Sequence, residues 1–551
     1  MSKKSCNFAA HFYNILLTLK VVPDTDRVTD MDFFSRANRN YRDKEENFPT
    51  TVNFFMGVTS AEKEVVDYPI KLYDVFEDYL DVMSKFNQGK FIVLGRKGSG
   101  KSAIGEYLYH LASQEANVFC SFIQNSDINL EQLIQIGEER EGKAIKIEML
   151  YKWIVLTNLL KLFLTNEKIL ASSQVTKYLQ QFLERNSGLV EMNKNVIFEI
   201  VREQGFSVYT EYLNRAISAS GQKLTKTKEG RGEFYQIIPS LEYFVSNIAK
   251  SDGENEYVLI LDDLDLGFDC KREQSLYNLL ELLRVVTKYN LQVFGKQQIP
   301  IRIIVLLRTD LAKQLMGADS AKIIIDNSFE LTWYEDMYRD NENELYLRRF
   351  INKRILENFN KNGIKIWTPQ DPWLSFIDES QYHAPKSAFK YIIDHTFYRP
   401  RDLIMFFNDL ASLKLRIPIS QQNIDTILMK NFVRNLFSEI KSELSISYER
   451  APINRLFNDV LSYFGNRERY RDPFGYDEIL QKMLEKGVGD QELCERLISD
   501  LYEYSLIGNM TESGSVYFRY RETGLDVYAM KKDEKFIMHY ALQKYYKLQR
   551  A

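Results

Sequence analysis

Cysteine and histidine are scarce in this sequence. Of 551 residues, only four are cysteines and five are histidines. Cys6, Cys120, Cys270 and Cys494 lie far apart and form no Cys-x-x-Cys pair, which excludes a disulfide framework and a zinc site of the usual spacing. The dispersed histidines give no nuclease, protease or deaminase constellation. The cysteine pattern is typical of a reducing cytoplasm, which is the compartment that we expect.

Long apolar runs and an excess of charge are also missing. The apolar stretch near the start, residues 8–22, is interrupted by polar residues and is too short to span a bilayer, so we expect no membrane segment. A net charge of −4 gives the chain no overall attraction to nucleic acid or to anionic membranes. Hydrophobic content of 45% with only 12 prolines predicts a globular, helix-rich protein, and the length predicts roughly two to four domains.

A glycine-rich loop follows an apolar run near residue 90. The segment Gly95-Arg-Lys-Gly-Ser-Gly-Lys-Ser102 matches the pattern Gly-x-x-x-x-Gly-Lys-Ser/Thr at every fixed position. Such a loop points successive backbone N–H groups at a phosphate, and a helix predicted over 101–114 adds its positive end. We expect Lys101 to reach the β- and γ-phosphates and the Ser102 hydroxyl to bind Mg²⁺.

The alternative is a chance glycine turn, but the full match lies between a strand pattern and a helix pattern. We therefore predict that the loop binds a nucleoside triphosphate, with ATP as the expected ligand and GTP as the alternative. The predicted ATP-binding residues are Gly95, Arg96, Lys97, Gly98, Ser99, Gly100, Lys101, Ser102 and Ala103.

Five apolar runs predict a parallel sheet. They cover residues 90–95, 118–123, 257–261, 301–307 and 328–333, and helical patterns alternate with them. Strands connected in this way form a parallel sheet that helices cover on both faces, and ligands bind at the carboxyl ends of its strands. The predicted fold is α/β: a parallel five-stranded P-loop sheet with a large helical insertion, a helical lid and a C-terminal winged helix.

Four segments follow from these patterns. They are an accessory arm at 1–50, the P-loop core at 51–335, the helical lid at 336–445 and the winged helix at 446–551. Within the core, one helix is expected near 64–85. The long spacing between Ser102 and the third strand leaves room for a helical insertion at about 129–250, with helices at 145–164, 175–185 and 232–251.

The winged helix is predicted from three helical patterns followed by two strand-like runs. The helical patterns cover 452–464, 475–487 and 491–505, and the strand-like runs cover 504–508 and 516–521. Arg519 and Arg521 alternate on the second run, so both would project from one face and contact the phosphates of DNA. Against DNA binding, acidic and basic residues roughly balance over 430–551, and no helix carries a basic stripe.

Two carboxylates end the predicted third strand. We expect Asp262 to hold the Mg²⁺ shell and Asp263 to polarise the attacking water. The alternative is an N-cap for the following helix. Arg308 ends the next strand, where a guanidinium senses a γ-phosphate or stabilises its charge, and a surface salt bridge is its alternative.

Further arginines lie in the predicted lid. Arg401 follows a proline that suits the first turn of a helix, and we expect it to reach the phosphates, with Arg399 as the competing candidate. Arg348, Arg349 and Arg354 share one helical pattern and are weaker candidates for an arginine finger that serves a neighbouring subunit.

Together, the segments GRKGSGKS, VLILDDLD, LLRTD and YRPRD resemble the bacterial P-loop ATPases of the STAND/AAA-like (ASCE) group, which are relatives of origin-recognition-type and NACHT or NB-ARC switch ATPases. Residues 54–62 also resemble a bacterial family that carries FFG-x-x-x-AE ahead of the loop. The resemblance implies that Asp262 binds the metal through water and that Asp263 is the catalytic acid. It also implies that Arg308 is a sensor-1 arginine and Arg401 a sensor-2-like arginine. An Asp-Asp ending, in place of Asp-Glu, resembles switch ATPases that hydrolyse slowly.

The sequence therefore predicts a cytoplasmic ATPase that needs Mg²⁺, hydrolyses ATP slowly and drives a conformational or oligomeric switch, in bacterial antiviral defence or signalling. A protein partner or self-association is expected, DNA has less support, and no membrane is expected. The alternatives are a DNA-engaging ATPase of the loader or repair type and a non-hydrolysing nucleotide-binding scaffold.

Overall fold

The computed structural model describes residues 48–66, 68–124, 147–163, 165–167, 238–262, 273–315, 318–335, 342–382, 387–467, 472–521 and 530–550. The accessory arm predicted at 1–50 lies outside this part of the chain except for residues 48–50. The predicted catalytic residue Asp263 and the helix predicted at 175–185 also lie outside it.

Within the described residues, the strands are β1 (Ile92–Gly95), β2 (Val118–Gln124), β3 (Glu256–Asp262), β4 (Ile301–Arg308), β5 (Ser328–Leu331), β6 (Ile507–Met510), β7 (Val516–Tyr517) and β8 (Lys535–Met538). The helices are α1 (Ala61–Val66), α2 (Leu72–Val75), α3 (Val82–Asn87), α4 (Lys101–Gln114), α5 (Ile147–Phe163), α6 (Ile238–Ser251), α7 (Glu273–Thr287), α8 (Thr309–Gln314), α9 (Ala318–Asn327), α10 (Tyr346–Lys361), α11 (Trp373–Phe376), α12 (Ala388–Asp394), α13 (Pro400–Phe406), α14 (Leu410–Leu413), α15 (Gln421–Asn423), α16 (Met429–Ser447), α17 (Arg450–Arg455), α18 (Ser462–Gly465), α19 (Tyr476–Glu485), α20 (Gln491–Glu503) and α21 (Tyr540–Arg550). Segments of π-helix follow α7, α15 and α17, over Lys288–Gly295, Ile424–Leu428 and Leu456–Leu461.

The chain divides into two compact units. Among the described residues, the first comprises those of Leu80–Lys97 and Lys101–Leu331. The second comprises those of Tyr13–Tyr79, Gly98–Gly100 and Thr332–Ala551. Three residues of the glycine-rich loop therefore group with the second unit, although the residues on either side of them belong to the first.

A five-stranded sheet forms the centre of the first unit. All its strand pairs are parallel, in the order β2-β3-β4-β1-β5. The strand that leads into the glycine-rich loop, β1, is buried along its whole length, and β4 separates it from β3. The α/β fold class predicted from the apolar runs, with a parallel five-stranded P-loop sheet and a helix-rich C-terminal part, is confirmed.

Part of the predicted insertion belongs to this core. Helix α5 buries 14 of its 17 residues, most of them apolar, so neighbouring elements cover it on nearly every side. It packs against α6 and α7 and against strands β2 and β3. Just beyond it, the amide of Asn166 donates to the hydroxyl of Tyr257 on β3 at 2.9 Å. The helices expected at 145–164 and 232–251 are thus present as α5 and α6, and α5 completes the core.

The single helix predicted near 64–85 is wrong, because three short helices, α1 to α3, occupy this region. Pro69 has no N–H group to donate within a helix, and it lies between α1 and α2. Asp81 has a φ of +50°, which ends any preceding helical path, and its side chain then caps α3 by accepting from the Ser84 N–H at 3.4 Å.

The second unit is helical up to α20 and then adds a small sheet. Helices α17–α18, α19 and α20 correspond to the three predicted helical patterns, and β6 and β7 to the two predicted strand-like runs. Strand β8 was not predicted from the sequence; it pairs antiparallel with β6 and gives a three-stranded sheet in the order β7-β6-β8. None of the described helices is long and apolar enough to cross a bilayer.

The prediction that Arg519 and Arg521 extend from a strand toward DNA is wrong. Residues Arg519–Arg521 form a 3₁₀ turn. Arg519 is buried, and its Nε donates to Glu503 at 3.0 Å. Arg521 donates to the carbonyl of Val516 at 2.9 Å, and its guanidinium lies 5.5 Å from the ring centroid of Tyr334. Both guanidinium groups therefore bind other groups of the protein.

Candidate nucleotide-binding site

The glycine-rich loop leaves β1 at its carboxyl end and leads into α4. Gly98 and Gly100 have φ values of +80° and +100°, which glycine adopts at little cost. A Cβ atom at Gly100 would meet no described atom within 4 Å, and it is the backbone conformation that requires glycine there. At Gly98 a Cβ would also lie 3.0 Å from the Cβ of Arg401, so both conformation and space require glycine.

Lys101 begins α4 and is buried. Its ammonium group donates to the carbonyl oxygens of Gly95 at 3.1 Å and Arg96 at 3.4 Å, so the side chain folds back along the loop that precedes it. The half-buried Ser102 follows on the first helical turn, where backbone N–H groups have no partner within the helix. A lysine cation and a helix N-terminus therefore meet at the loop, which is the combination that binds an anion.

Two other predicted site residues lie at the same edge of the sheet. Asp262 ends β3 and is fully buried. Arg308 ends β4, and the strand register places it directly beside Gly95, the first residue of the loop. Parallel strands that end together bring Gly95, Asp262 and Arg308 to one edge, as predicted.

Arg308 forms a two-point salt bridge within this edge. Its Nε and Nη2 donate to the two carboxylate oxygens of Asp310 at 3.1 Å and 2.6 Å. Partial burial acts to raise the pKa of Asp310, but the charge and hydrogen bonds of Arg308 outweigh it and hold that pKa below its ordinary value. The charge of Lys101 acts in the same direction. The salt bridge given as the alternative for Arg308 is therefore present, and its partner Asp310, which was not predicted, lies only two residues further along the chain.

Arg401 contacts the tip of the glycine-rich loop. It lies in the first turn of α13, whose first residue is Pro400, and its backbone N–H faces the carbonyl of Gly98 at 3.4 Å. Its guanidinium has two long contacts, from Nη1 to Glu439 at 3.4 Å and from Nη2 to the carbonyl of Thr59 at 3.3 Å. The side chain is 25% exposed, and its Nε has no hydrogen-bond partner among the residues that the structure describes. The guanidinium is therefore only weakly held.

Arg399, the competing candidate, serves a different purpose. Its Nη2 and Nε donate to Asp402 at 2.6 Å and 3.0 Å, and Asp402 is fully buried. Burial acts to lower the pKa of Arg399, but the charge and hydrogen bonds of Asp402 raise it above its ordinary value. Asp402 also accepts from the backbone N–H of Phe397 at 2.8 Å. Arg399 thus stabilises the turn before α13, and only Arg401 of the two contacts the loop.

Two of the three α10 arginines proposed as arginine fingers are buried within the protein. Arg348 is buried and donates to Asp371 at 2.7 Å and 3.2 Å, while Arg354 forms a buried ion pair with Glu64. Arg349 is half-exposed and pairs with the buried Glu77. The finger prediction is wrong for Arg348 and Arg354, because neither reaches the surface.

Trp333 is a loop contact that the sequence did not reveal. Its indole N–H donates to the carbonyl of Ser99 at 2.7 Å, and both residues are buried. In the sequence Trp333 only ends the fifth apolar run, and β5 itself ends two residues earlier, at Leu331.

Mg²⁺ fits the donors present at this edge. The Ser102 hydroxyl and the Asp262 carboxylate are hard oxygen ligands of the kind that Mg²⁺ prefers, and such sites are completed by phosphate oxygens and water. Among the residues that the structure describes, no three or more His, Cys, Asp or Glu side chains are grouped as a metal site.

The comparisons with known proteins cover the helical part and the chain as a whole. A family model described as the FunZ-associated C-terminal helical domain matches residues 346–425, from α10 to the segment that follows α15. No curated protein matches the chain. Among solved structures, Cdc6p from Pyrobaculum aerophilum is similar at 11% identity and a TM-score of 0.25, over 83% of this chain and 88% of that one. Drosophila ORC bound to DNA is similar at 11% identity and a TM-score of 0.21, over 87% and 97%. Because these TM-scores are low, the fold assignment rests on the sheet order and the loop of this chain itself.

Proposed function

We propose that this protein binds ATP with Mg²⁺ at the glycine-rich loop, hydrolyses it slowly and uses it to switch conformation or assembly. One observation carries the proposal: the complete loop motif leaves β1 at the sheet edge where Asp262 and Arg308 also end their strands. Ligands of open α/β sheets bind at this edge.

Each residue of the proposed site would have its own role in ATP binding and hydrolysis. The loop N–H groups and Lys101 would bind the β- and γ-phosphates, and Ser102 and Asp262 would hold Mg²⁺, which when bound supplies charge neutralisation at the phosphate oxygens. Asp263 would orient and polarise the attacking water. Arg308 would face the γ-phosphate by leaving or sharing its salt bridge with Asp310. The Asp-Asp ending of the strand supports slow turnover only through the resemblance to switch ATPases.

Arg401 supports the switch part of the proposal. A phosphate attracts a guanidinium more strongly than a backbone carbonyl does, and the present contacts of Arg401 to Thr59 and Glu439 are long. ATP would therefore draw the Arg401 side chain from these contacts toward the loop. A ligand shifts a conformational equilibrium only through contacts that differ between the two states, and Arg401 would supply such a contact. A protein partner or self-association would then transmit the change. Defence or signalling as its setting rests on the sequence resemblance.

Of the two alternative functions, the DNA-engaging ATPase has lost its main support, since Arg519 and Arg521 are held within the protein. The non-hydrolysing scaffold differs from the proposed switch in one measurable property, the release of phosphate.

The test is Mg²⁺-dependent phosphate release from ATP by the wild-type chain, Lys101→Ala and Lys296→Ala. Lys101→Ala removes the cation at the loop, so ATP binding should weaken at least about tenfold, or about 1.4 kcal/mol. Lys296→Ala removes an exposed lysine of the same unit and should behave as wild type. Binding without phosphate release would favour the scaffold, and unchanged ATP affinity in folded Lys101→Ala would refute the site.

A further inference from the structure

The hydrogen bond between Trp333 and Ser99 acts on the part of the loop that would face a nucleotide. It is short, at 2.7 Å, and both partners are buried, so water does not compete for it. The Ser99 carbonyl and the Gly100 N–H belong to the same peptide group. In a planar trans peptide these two bonds point in opposite directions. A side chain that fixes the carbonyl of Ser99 therefore also fixes the direction of the Gly100 N–H.

The peptide that Trp333 holds is one that would otherwise turn easily. Gly100 has a φ of +100°, and within the described part of the chain no atom lies within 4 Å of the position of a Cβ atom there. Glycine has more backbone freedom than any other residue, so an N–H that must face a phosphate loses more entropy when it is ordered. A hydrogen bond from outside the loop reduces that loss before the ligand arrives.

Trp333 is itself held in place by aromatic packing. The centroid of its ring lies 4.3 Å from the ring centroid of Tyr79. It lies 5.8 Å from that of Phe350, and the Trp333 and Phe350 rings meet edge-to-face. The Tyr79 hydroxyl donates to the carbonyl of Thr332, the residue before Trp333, at 2.8 Å. Tyr79 also packs on Tyr346 of α10, with 4.2 Å between the ring centroids. The indole N–H is therefore a donor with a defined position.

We propose that Trp333 is a positioning residue of the nucleotide site, which holds the Ser99–Gly100 peptide so that the Gly100 N–H faces the phosphates. This inference rests on the proposed ATP site and adds a residue that the loop motif does not contain. Trp333 acts through the loop and needs no contact with ATP.

The first measurement compares Trp333→Phe with the matched control Trp373→Phe. Trp373 is buried in the same unit, and its indole N–H donates to Glu379, also at 2.7 Å. Both variants lose one indole hydrogen bond of 2.7 Å and keep an aromatic ring, but of the two tryptophans only Trp333 donates to the loop. In a titration with a fluorescent ATP analogue and Mg²⁺, Trp333→Phe should raise the Kd about tenfold, while Trp373→Phe should stay within about twofold of wild type. A merely structural tryptophan would lower the melting temperature on substitution, which is what we expect of Trp373→Phe, and would leave the Kd unchanged.

The second measurement uses the intact chain labelled with ¹⁵N at the indole nitrogens of its four tryptophans. The signals of the other three tryptophans are assigned by replacing each of them with Phe in turn, and the remaining signal belongs to Trp333. This measurement therefore does not depend on whether Trp333→Phe folds. ATP should shift the Trp333 signal and leave the Trp373 signal in place. An unshifted Trp333 signal, or an unchanged Kd in folded Trp333→Phe, overturns the inference while ATP binding by the wild type still stands. If the wild type binds no ATP, both the inference and the proposed function are overturned.

Discussion

Arg399 and Arg401 are two residues apart in one motif, yet their surroundings predict very different losses of stability on substitution. Arg399→Ala would leave the fully buried Asp402 without its cation, which typically costs about 3–5 kcal/mol. Arg401→Ala removes only long contacts from a partly exposed side chain, so the free energy of unfolding should change by less than about 1 kcal/mol. Urea unfolding without nucleotide measures both values.

The same two variants separate stability from the response to nucleotide. Saturating ATP should stabilise wild type and Arg399→Ala by similar increments, provided that the latter folds, and should stabilise Arg401→Ala less. An equal increment in Arg401→Ala would show that this arginine makes no contact with the nucleotide. A large loss of stability in Arg401→Ala without ATP would show that its role is structural.

At the scale of elements, the segment before the first helices is fastened to α10. The side-chain amide of Asn358 donates to the Phe55 carbonyl at 2.8 Å, and its oxygen accepts from the Phe55 N–H at 2.7 Å. Gly57 has a φ of +119°, and a Cβ there would lie 2.7 Å from the Arg354 guanidinium. Arg354 forms the buried ion pair with Glu64 of α1. These contacts give Gly57 a structural reason, because only a residue without a side chain lets the backbone pass this close to Arg354 of α10.

This attachment predicts a contrast between two glutamates on α1. Glu64→Gln would leave Arg354 buried without a counter-charge, so the free energy of unfolding should fall by about 3–5 kcal/mol. Glu62, the glutamate of the sequence pattern, is exposed, and Glu62→Gln should change stability by less than about 0.5 kcal/mol. Chemical denaturation measures both. The double variant Glu64→Leu/Arg354→Met should recover most of the loss, since neither charge remains; equal stability of the two single variants would contradict this interpretation.

The elements that the sequence predicted well are those whose signal is local. The loop motif places Lys101 and Ser102 at the start of α4, and short, mainly apolar runs identify the strands of the parallel sheet. Asp262 follows from the same signal, because it ends such a run. Trp333 and Glu439 could not be predicted, since their contacts with Ser99 and Arg401 join residues far apart in the chain. The prediction for Arg519 and Arg521 was wrong because period-two alternation over so few residues does not distinguish a strand from a turn.

For the whole molecule, charge limits any interaction with DNA. The net charge is −4, and the two arginines expected to contact phosphates are engaged within the protein. Binding to duplex DNA should therefore be weak, insensitive to sequence and lost as salt rises from about 50 to 200 mM. Fluorescence anisotropy at the two salt concentrations measures it. Tight, site-specific binding at physiological salt would refute the switch and support the DNA-engaging alternative.

The proposed switch predicts that two substitutions separate hydrolysis from the conformational response. Asp263, which lies outside the described residues, is expected to polarise the attacking water without being the main Mg²⁺ ligand. Asp263→Asn keeps the side-chain volume but removes the charge, so ATP should still bind while phosphate release falls about 10²-fold or more. Arg401→Ala should still bind ATP through Lys101 and the loop, but it lacks the contact that we expect to differ between the two states.

Limited proteolysis with and without ATP then distinguishes the two variants. ATP should protect wild type and Asp263→Asn to the same extent, because both bind the nucleotide and keep Arg401. It should protect Arg401→Ala much less at equal occupancy of the site, since binding energy that is the same in both states moves no equilibrium. Full protection of Arg401→Ala would place the sensing contact elsewhere. Normal phosphate release by Asp263→Asn would place the catalytic acid elsewhere. Because binding, hydrolysis and switching are measured separately, the result for one variant does not depend on the result for the other.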